Sequence, residues 1–573
     1  MKYSLSVPWI LMKFSKTLKE KQVQEWRAKY LNYEDLKEKI DMTEDAFISE
    51  INKEVEKVEA FYKILERGIL RGLADLLELF PEEDFPYAYE MVYENWKLAM
   101  AKSVSVRHKR SRQERLPKKS IHKVRENKVL EFYVALNKIV QYKRMNITGF
   151  RKILKKYDKK NGTSIQGRMM EEIRTRSTFV QQTVEEIIEF TRYLHKEITP
   201  NRHRDKAKRL VADLTEEDAQ GDGKSFAAGA MMSAGLFMMG LSLQNNTNIM
   251  YYGALYTFDI LFLSLGVLFY VCRKNLVNYS LILELNLKPK FKISSYFLMC
   301  TIVFLMHSVA GYLDIPSWLI YILTVCIICM PIDHFYKEIR MYLLQTVSEV
   351  LACSVLGKVH FKHFFIADYF ISIRSALLLS ITMGLHEAPG PKITCCILYI
   401  PIMIRVFQCI RRHIEKTNRQ PFPHLYNTLK YMISFTSDTL LILSDTINIW
   451  VCVGALLISN GFGMFWDVYV DWMLWSRPKV YHREVYIFAC LFNLIVRILA
   501  VSSPLVSLAM QDYQFEAKLK IKLVMCFLEM SRRIIWGIVR IEVEHLNNCN
   551  RLKAISGPLN DLFYLEDDGH IEI

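Results

Sequence analysis

The stretch Asn146-Ile147-Thr148-Gly149-Phe150-Arg151-Lys152-Ile153-Leu154-Lys155-Lys156-Tyr157-Asp158-Lys159 decides how the N-terminal part of this chain is read. Lys152, Lys155, Lys156 and Lys159 recur at helical spacing, which puts four ammonium groups on one face within two turns. Like charges so placed repel, and an isolated helix gains nothing from them. Two readings follow from the spacing: a basic face that is simply solvated, or a face to which a highly charged anion comes.

Composition divides the rest of the chain. Of 573 residues, 51% are hydrophobic and 24% charged, and the two classes separate along the sequence. Residues 1–223 are charge-dense without a long apolar run, whereas apolar stretches recur from 226 to about 545. This pattern predicts a soluble domain joined to a polytopic membrane domain. A formal net charge of +15 fits a protein that faces anionic ligands or an anionic leaflet. All twelve cysteines lie from Cys272 onward, mostly inside apolar runs, and read as small buried hydrophobes. Cys326-x-x-Cys329 has redox or zinc spacing but no partner pair, so no metal site is expected. The apolar bit Tyr3 to Met12 lacks a small-residue cleavage site and is not read as a signal peptide.

Helical periodicity runs through Ile51 to Phe80 and Arg168 to Leu194. Between them 101–160 holds 20 Lys/Arg against 4 Asp/Glu, and 101–128 reads as a mobile basic linker. Aromatics for base stacking are missing there, so no nucleic-acid partner is expected. Ten runs approach the roughly 20 residues that a bilayer core requires: 226–244, 252–272, 294–313, 316–333, 364–384, 391–410, 427–445, 447–470, 483–506 and 521–541. Basic residues cluster after the second, fourth, sixth and eighth, for example Arg273, Lys274, Arg411 and Arg412. The positive-inside rule then places both termini in the cytosol. Asn245-Asn246-Thr247 becomes a glycosylation sequon in the first outer loop, while Asn146-Ile147-Thr148 stays cytosolic and unmodified.

Ahead of the lysine stretch come Met12-Lys13-Phe14-Ser15-Lys16-Thr17-Leu18 and Trp26, Tyr30, Tyr33, Leu36 and Lys37. With the lysine stretch these resemble, in order, the motifs of the SPX domain, a helical sensor of inositol phosphates. That resemblance implies that Tyr33, Lys37, Lys152, Lys155, Lys156 and Lys159 line a pocket for inositol hexakisphosphate or an inositol pyrophosphate, with Lys13 and Lys16 at its rim. Lysine, a mobile point charge, suits a ligand rich in phosphates. Eleven residues precede Met12, where the family usually begins.

Ionisable residues interrupt the later apolar runs: Asp368, Arg405, Lys430, Asp467, Asp471, Arg497, Arg532, Arg533 and Arg540. A charge at membrane depth costs several kcal/mol and usually faces a polar cavity. Each could alternatively serve an internal ion pair that only holds helices together. Asp467 and Asp471, four apart, share a face if the segment is an α-helix. Arginine outnumbers the acids, so a path along these residues suits an anion.

Arg405 to Arg412, Pro423-His424-Leu425, Lys430-Tyr431, Trp466-Asp467-x-x-x-Asp471-Trp472 and Arg532-Arg533-x-x-Trp536-x-x-x-Arg540 resemble the EXS domain. SPX followed by EXS is the architecture of the eukaryotic phosphate exporters related to the xenotropic and polytropic retrovirus receptor and to plant phosphate exporters. The resemblance implies export of inorganic phosphate, gated by inositol pyrophosphate, along Asp368, Lys430, Asp467, Asp471, Arg497, Arg532 and Arg533. One departure is Ala500, where relatives commonly carry Trp.

The expected fold is therefore all-α: an N-terminal extension (1–11), an SPX domain (12–200), a linker (201–225), N-terminal transmembrane helices (226–363), an EXS transport domain (364–550) and a cytosolic tail (551–573). No phosphate-binding G-x-x-x-x-G-K-[ST] loop is present, so transport is expected to be channel-like. The chain is not expected to be an enzyme or to need a cofactor; a polyphosphate polymerase would require a soluble catalytic domain. The competing expectation is a non-transporting, membrane-anchored sensor or scaffold. Expected partners are phosphate, inositol polyphosphates and membrane lipids, with a homodimer by family analogy. The expected location is the plasma membrane, with Golgi or endosomal membranes as the alternative.

Overall fold

A computed structural model of the protein describes residues 14–77, 79, 118–198, 222–245, 249–285, 293–330, 336–353, 358–385, 390–415, 420–444, 446–475, 479–509 and 515–554. The extension, Lys13, residues 101–117, most of the 201–225 linker, the 246–247 part of the sequon and the tail from 555 lie outside them. The described residues are helices and turns, with no strand among them. They form two compact units, Met1–Glu217 with Leu546–Ile573, and Asp218–His545.

In the first unit α1 spans Phe14–Lys21, α2 Tyr33–Glu38, α3 Glu44–Leu77, α4 Lys118–Asn161, α5 Ile165–Arg176 and α6 Thr183–Ile198. Phe47, Ile51, Val58, Phe61, Leu65, Ile69 and Leu73 of α3 recur every three, four or seven residues and form one buried stripe. It meets Phe132, Leu136, Ile139, Tyr142, Phe150 and Ile153 of α4 in a single core. Helix α4 begins right after Pro117, so residues 118–128 are helical and not the mobile linker that their charge suggested. Lysine, arginine and glutamate are good helix formers, and charge density alone does not distinguish a helix from a linker.

The periodic run from Arg168 to Leu194 is also broken. Between α5 and α6 a tight turn at Thr178–Val180 is held by Glu59 of α3. Its carboxylate accepts from the Thr178 N–H (3.0 Å) and hydroxyl (2.8 Å) and from the Phe179 N–H (3.3 Å).

Two residues of the opening stretch fasten the N-terminal hairpin to α4. Asn146 Oδ1 accepts the Leu31 N–H at 2.9 Å, while its Nδ2 donates to the Tyr142 carbonyl at 2.9 Å. Gly149 lets Leu31 approach: a Cβ there would lie 2.4 Å from Leu31 Cδ2. Trp26 is fully buried beside Phe61 and Tyr142, and its Nε1–H donates to the Leu552 carbonyl at 2.9 Å.

The second unit contains α7 (Asp222–Asn245), α8 (Ile249–Lys274), α9 (Ile293–Tyr312), α10 (Ser317–Cys329), α11 (Lys337–Cys353), α12 (Phe361–Leu385), α13 (Pro391–Glu415), α14 (His424–Ile442), α15 (Ile449–Trp466), α16 (Arg483–Ala509) and α17 (Phe515–Asn550). Each of the ten apolar runs is occupied by a helix. Seven described helices are long and apolar enough to cross a membrane by length and composition. Helix α10 is only 13 residues long, and α14 and α17 are diluted by the polar residues of the site described below. The chain is a multi-pass membrane protein.

Helix α11 corresponds to no apolar run. Its buried Arg340 points Nη1 at the carbonyls of Ile327 (2.6 Å), Ile328 (3.4 Å) and Met330 (2.6 Å), closing the C-terminus of the short α10. These carbonyls have no intrahelical donor, and a guanidinium answers both their lone pairs and the negative end of the helix dipole.

Gly149→Ala should destabilise the first unit by about 1–3 kcal/mol, because the new methyl overpacks a buried Leu31. Thermal unfolding of the full-length protein checks this, with the transition of that unit expected several degrees lower.

Candidate functional site

Two groups of residues stand out, one in each unit. In the first unit, α4 presents Lys152, Lys155, Lys156 and Lys159, all exposed and with no carboxylate within 4.0 Å among the described residues. Lys152 Nζ lies 4.8 Å from the Phe14 ring, and Phe14 meets the Tyr33 ring edge-on at 4.9 Å. Phe14 thus brings Tyr33 of α2 and Lys152 of α4 to one place. Burial raises the Tyr33 phenol above its ordinary range, and the neighbouring Glu34 adds to this. Lys37 is engaged, its Nζ 3.1 Å from Glu34 Oε2. That bond, with a second from Ser15, holds the Glu34 carboxyl below the usual carboxylate range. An anion drawn to Lys37 has to displace Glu34.

In the second unit, the charges that interrupt the apolar runs meet. Asp368 on α12 faces Arg405 on α13 (Oδ1 to Nε 2.8 Å) and accepts the Tyr431 hydroxyl from α14 at 2.6 Å. Arg405 also donates to Gln408 Oε1 at 2.9 Å. Asp467 Oδ2 accepts from Arg497 Nη2 at 2.6 Å and from Asn493 Nδ2 at 3.0 Å, both on α16, and lies 3.5 Å from Arg532 Nη1 on α17. Gly463 on α15 is what admits Arg497, since a Cβ there would lie 2.5 Å from Arg497 Nη1.

Arg532 forks onto the carboxylate of Glu529, with Nε 2.8 Å from Oε2 and Nη2 2.6 Å from Oε1. Glu529 Oε1 accepts the Ser372 hydroxyl at 2.7 Å, and Ser372 Oγ in turn accepts from Arg533 Nε at 2.9 Å. One continuous polar network therefore joins Arg533, α12, Glu529, Arg532, Asn493, Asp467 and Arg497.

Asp467 and Asp471 do not act as a pair on one α-helical face. Residues Asp467–Asp471 form a π-helical turn. Asp471 turns to Trp536, whose Nε1–H donates at 3.1 Å, and to Arg540 at 3.8 Å. A widened turn of this kind re-aims side chains and recurs at functional sites.

Lys430 on α14 and Arg533 differ from the other cations in this set: neither has a carboxylate within 4.0 Å among the described residues. Lys430 Nζ lies over the rings of Tyr431 (4.5 Å) and Trp466 (5.1 Å), and the Arg533 guanidinium over Trp536 (4.6 Å). Aromatic faces support a cation without neutralising it. This pair is the surplus positive charge of the array.

Glu529, Ser372 and Asn493 escaped the reading of the sequence, and Tyr431 entered it only within a family motif. Glu529 had a signal, an acid one turn before Arg532 inside an apolar run. Ser372 and Asn493 are neutral, and only the fold shows them.

A family model described as the EXS family matches residues 249–546, and one described as the SPX domain matches residues 12–44 and 95–173. The "Xenotropic and polytropic retrovirus receptor 1 homolog" of Danio rerio is 24% identical over 96% of this chain and 92% of its own length. "Solute carrier family 53 member 1" of Homo sapiens is 24% identical over 96% and 91%. "Protein SYG1 homolog" of Schizosaccharomyces pombe is 26% identical over 74% and 67%.

Glu34→Gln should free Lys37 and tighten binding of inositol hexakisphosphate to the full chain about two- to fivefold, the range of an exposed ion pair. Calorimetric titration checks this. An unchanged affinity removes Lys37 from the pocket.

Proposed function

This chain belongs to the EXS family and carries an SPX domain, and from that premise we propose that it exports inorganic phosphate, gated by an inositol pyrophosphate on the lysine face. The observation that carries the proposal is the surplus charge of Lys430 and Arg533 within a buried network of arginine forks. A guanidinium matches two phosphate oxygens at once, and a phosphate that reaches Arg533 meets a cation not yet neutralised. Passage from Arg533 to Arg532 and Arg497 is an exchange of oxyanions, in which the phosphate takes the place of Glu529 and then of Asp467 and each displaced carboxylate keeps a further donor, Ser372 for Glu529 and Asn493 for Asp467.

The driving force is the gradient of phosphate itself. With both termini cytosolic and the protein in the plasma membrane, an inside-negative potential assists anion exit by about 2.3 kcal/mol per charge per 100 mV. Gating follows from charge. An inositol pyrophosphate joins Lys37 and Tyr33 to the α4 lysines and offsets their mutual repulsion. The helix that carries Arg532 and Arg533 is covalently continuous with the segment whose Leu552 carbonyl accepts from Trp26, which supplies a route for coupling.

A second reading is favoured by the carboxylates already seated on Arg405, Arg497 and Arg532. In that reading they are structural, and the protein is a membrane-anchored sensor that moves no phosphate.

Radiolabelled phosphate efflux from cells expressing the chain separates the two. Arg532→Ala should abolish efflux with surface protein retained, and Lys156→Ala should weaken its dependence on inositol pyrophosphate. Normal efflux from Arg532→Ala would sink the proposed path. No efflux from surface-resident wild type would favour the sensor.

A further inference from the structure

Outside the arginine array the membrane unit holds another buried titratable group. His307 on α9 is 2% exposed and Asp259 on α8 is 4% exposed. His307 Nδ1 lies 2.8 Å from Asp259 Oδ2, and His307 Nε2 lies 2.9 Å from Thr324 Oγ1 on α10. The Thr324 hydroxyl donates to the Ile320 carbonyl at 2.8 Å. While the hydroxyl donates to Ile320, Thr324 faces His307 as an acceptor, and in that arrangement Nε2 of His307 carries a proton.

This fixes the other end of the ring. The Nδ1 to Asp259 bond needs one proton, either on nitrogen as an imidazolium–carboxylate pair or on oxygen as an imidazole–carboxylic acid pair. Either way the unit is neutral overall. If that proton leaves to water, a bare carboxylate remains, buried and facing an imidazole lone pair. The titratable groups that face the pair are Tyr256 on α8, Cys300 on α9 and Tyr321 on α10. Behind these, the Tyr321 hydroxyl donates to Ser380 on α12 at 2.7 Å, and Ser242 on α7 lies with the Tyr256 hydroxyl beside Gly311. No arginine or lysine lies within 4.0 Å of Asp259 among the described residues to hold that charge.

We propose that Asp259, His307 and Thr324 form a proton-binding site, separate from the arginine array, whose occupancy sets the pH dependence of transport. The bound proton lets His307 donate to Asp259 and to Thr324 at once and so ties α8, α9 and α10 together; its loss leaves one N–H for two acceptors, so that one contact is given up or Thr324 gives up its bond to Ile320. The flux part of this inference rests on the phosphate-export reading.

Asp259→Asn is the informative change. The amide donates to Nδ1 while Nε2–H stays on Thr324, so the three helices remain tied but no proton can leave. Phosphate efflux is measured at about pH 7 and about pH 9 for wild type and variant. Phosphate's own ionisation affects both equally. The wild type should lose at least about threefold more flux on alkalinisation than Asp259→Asn; parallel profiles overturn the proposal. If the variant does not reach the membrane, Thr324→Val replaces it. Without its Nε2 acceptor the imidazolium is less favoured, and the alkaline limb should move down by about one pH unit; an unmoved limb overturns the site. If the wild type exports nothing, the export reading fails by itself. The same comparison is then read as melting temperature of the purified full chain, where only the wild type should lose stability at alkaline pH, and equal slopes overturn the proposal.

Discussion

One oxygen of Asp467 receives Arg497, Asn493 and Arg532, and the arrangement of the membrane unit depends on that convergence. A carboxylate buried alone at this depth would not stay charged, and a lone guanidinium would be equally costly. Removing one partner from such a set typically costs about 3–5 kcal/mol, because the other is left uncompensated. The requirement selects the geometry. Helix α15 must widen into a π-turn to deliver Asp467, α16 must approach closely enough to require glycine at 463, and α17 must present Arg532 at the same level. The relay through Glu529 and Ser372 to Arg533 then draws α12 into the same network.

The two units handle positive charge in opposite ways. On α4, Lys152, Lys155, Lys156 and Lys159 are exposed and have no carboxylate within 4.0 Å among the described residues. They stay put because water screens them, and their repulsion is relieved only by a ligand of high charge. In the membrane unit every arginine of the array has a carboxylate, a hydroxyl or an aromatic face among the described residues. Such a network is stable when empty. On the proposed path an anion would enter by exchange of partners, and the desolvation of phosphate would be met by donors already in place.

Long-range features were legible in the sequence. The helical stripe of α3, the lysine face of α4, the ten apolar runs and the charges within them follow from periodicity and hydropathy. What was missed depends on local competition or on tertiary partners. The start of α4 at Lys118 was hidden by charge density. The break at Thr178 follows from Glu59, more than a hundred residues away. Helix α11 shows no apolar run because its role is to bring Arg340 to carbonyls of α10. The π-turn at 467 looks like any apolar helix end. Asp259 is the one acid in its apolar run and His307 the one histidine in its own, and nothing in the order of residues reveals that they pair.

Ala500 gains meaning from this geometry. It lies one turn beyond Arg497 on α16 and is half-buried. An indole at that point would close a path by volume, whatever the charge of the species approaching it. An alanine has no such bulk, so on the proposed path closure at the level of Arg497 would fall to ionic contact, the Arg497–Asp467 pair at 2.6 Å. Volume excludes every solute alike, but an ion pair yields only to a group that replaces one of its members. A dianion with several acceptor oxygens does so far better than a monovalent halide, because it satisfies the fork of the guanidinium that it takes over. Selectivity and closure then reside in the same bond.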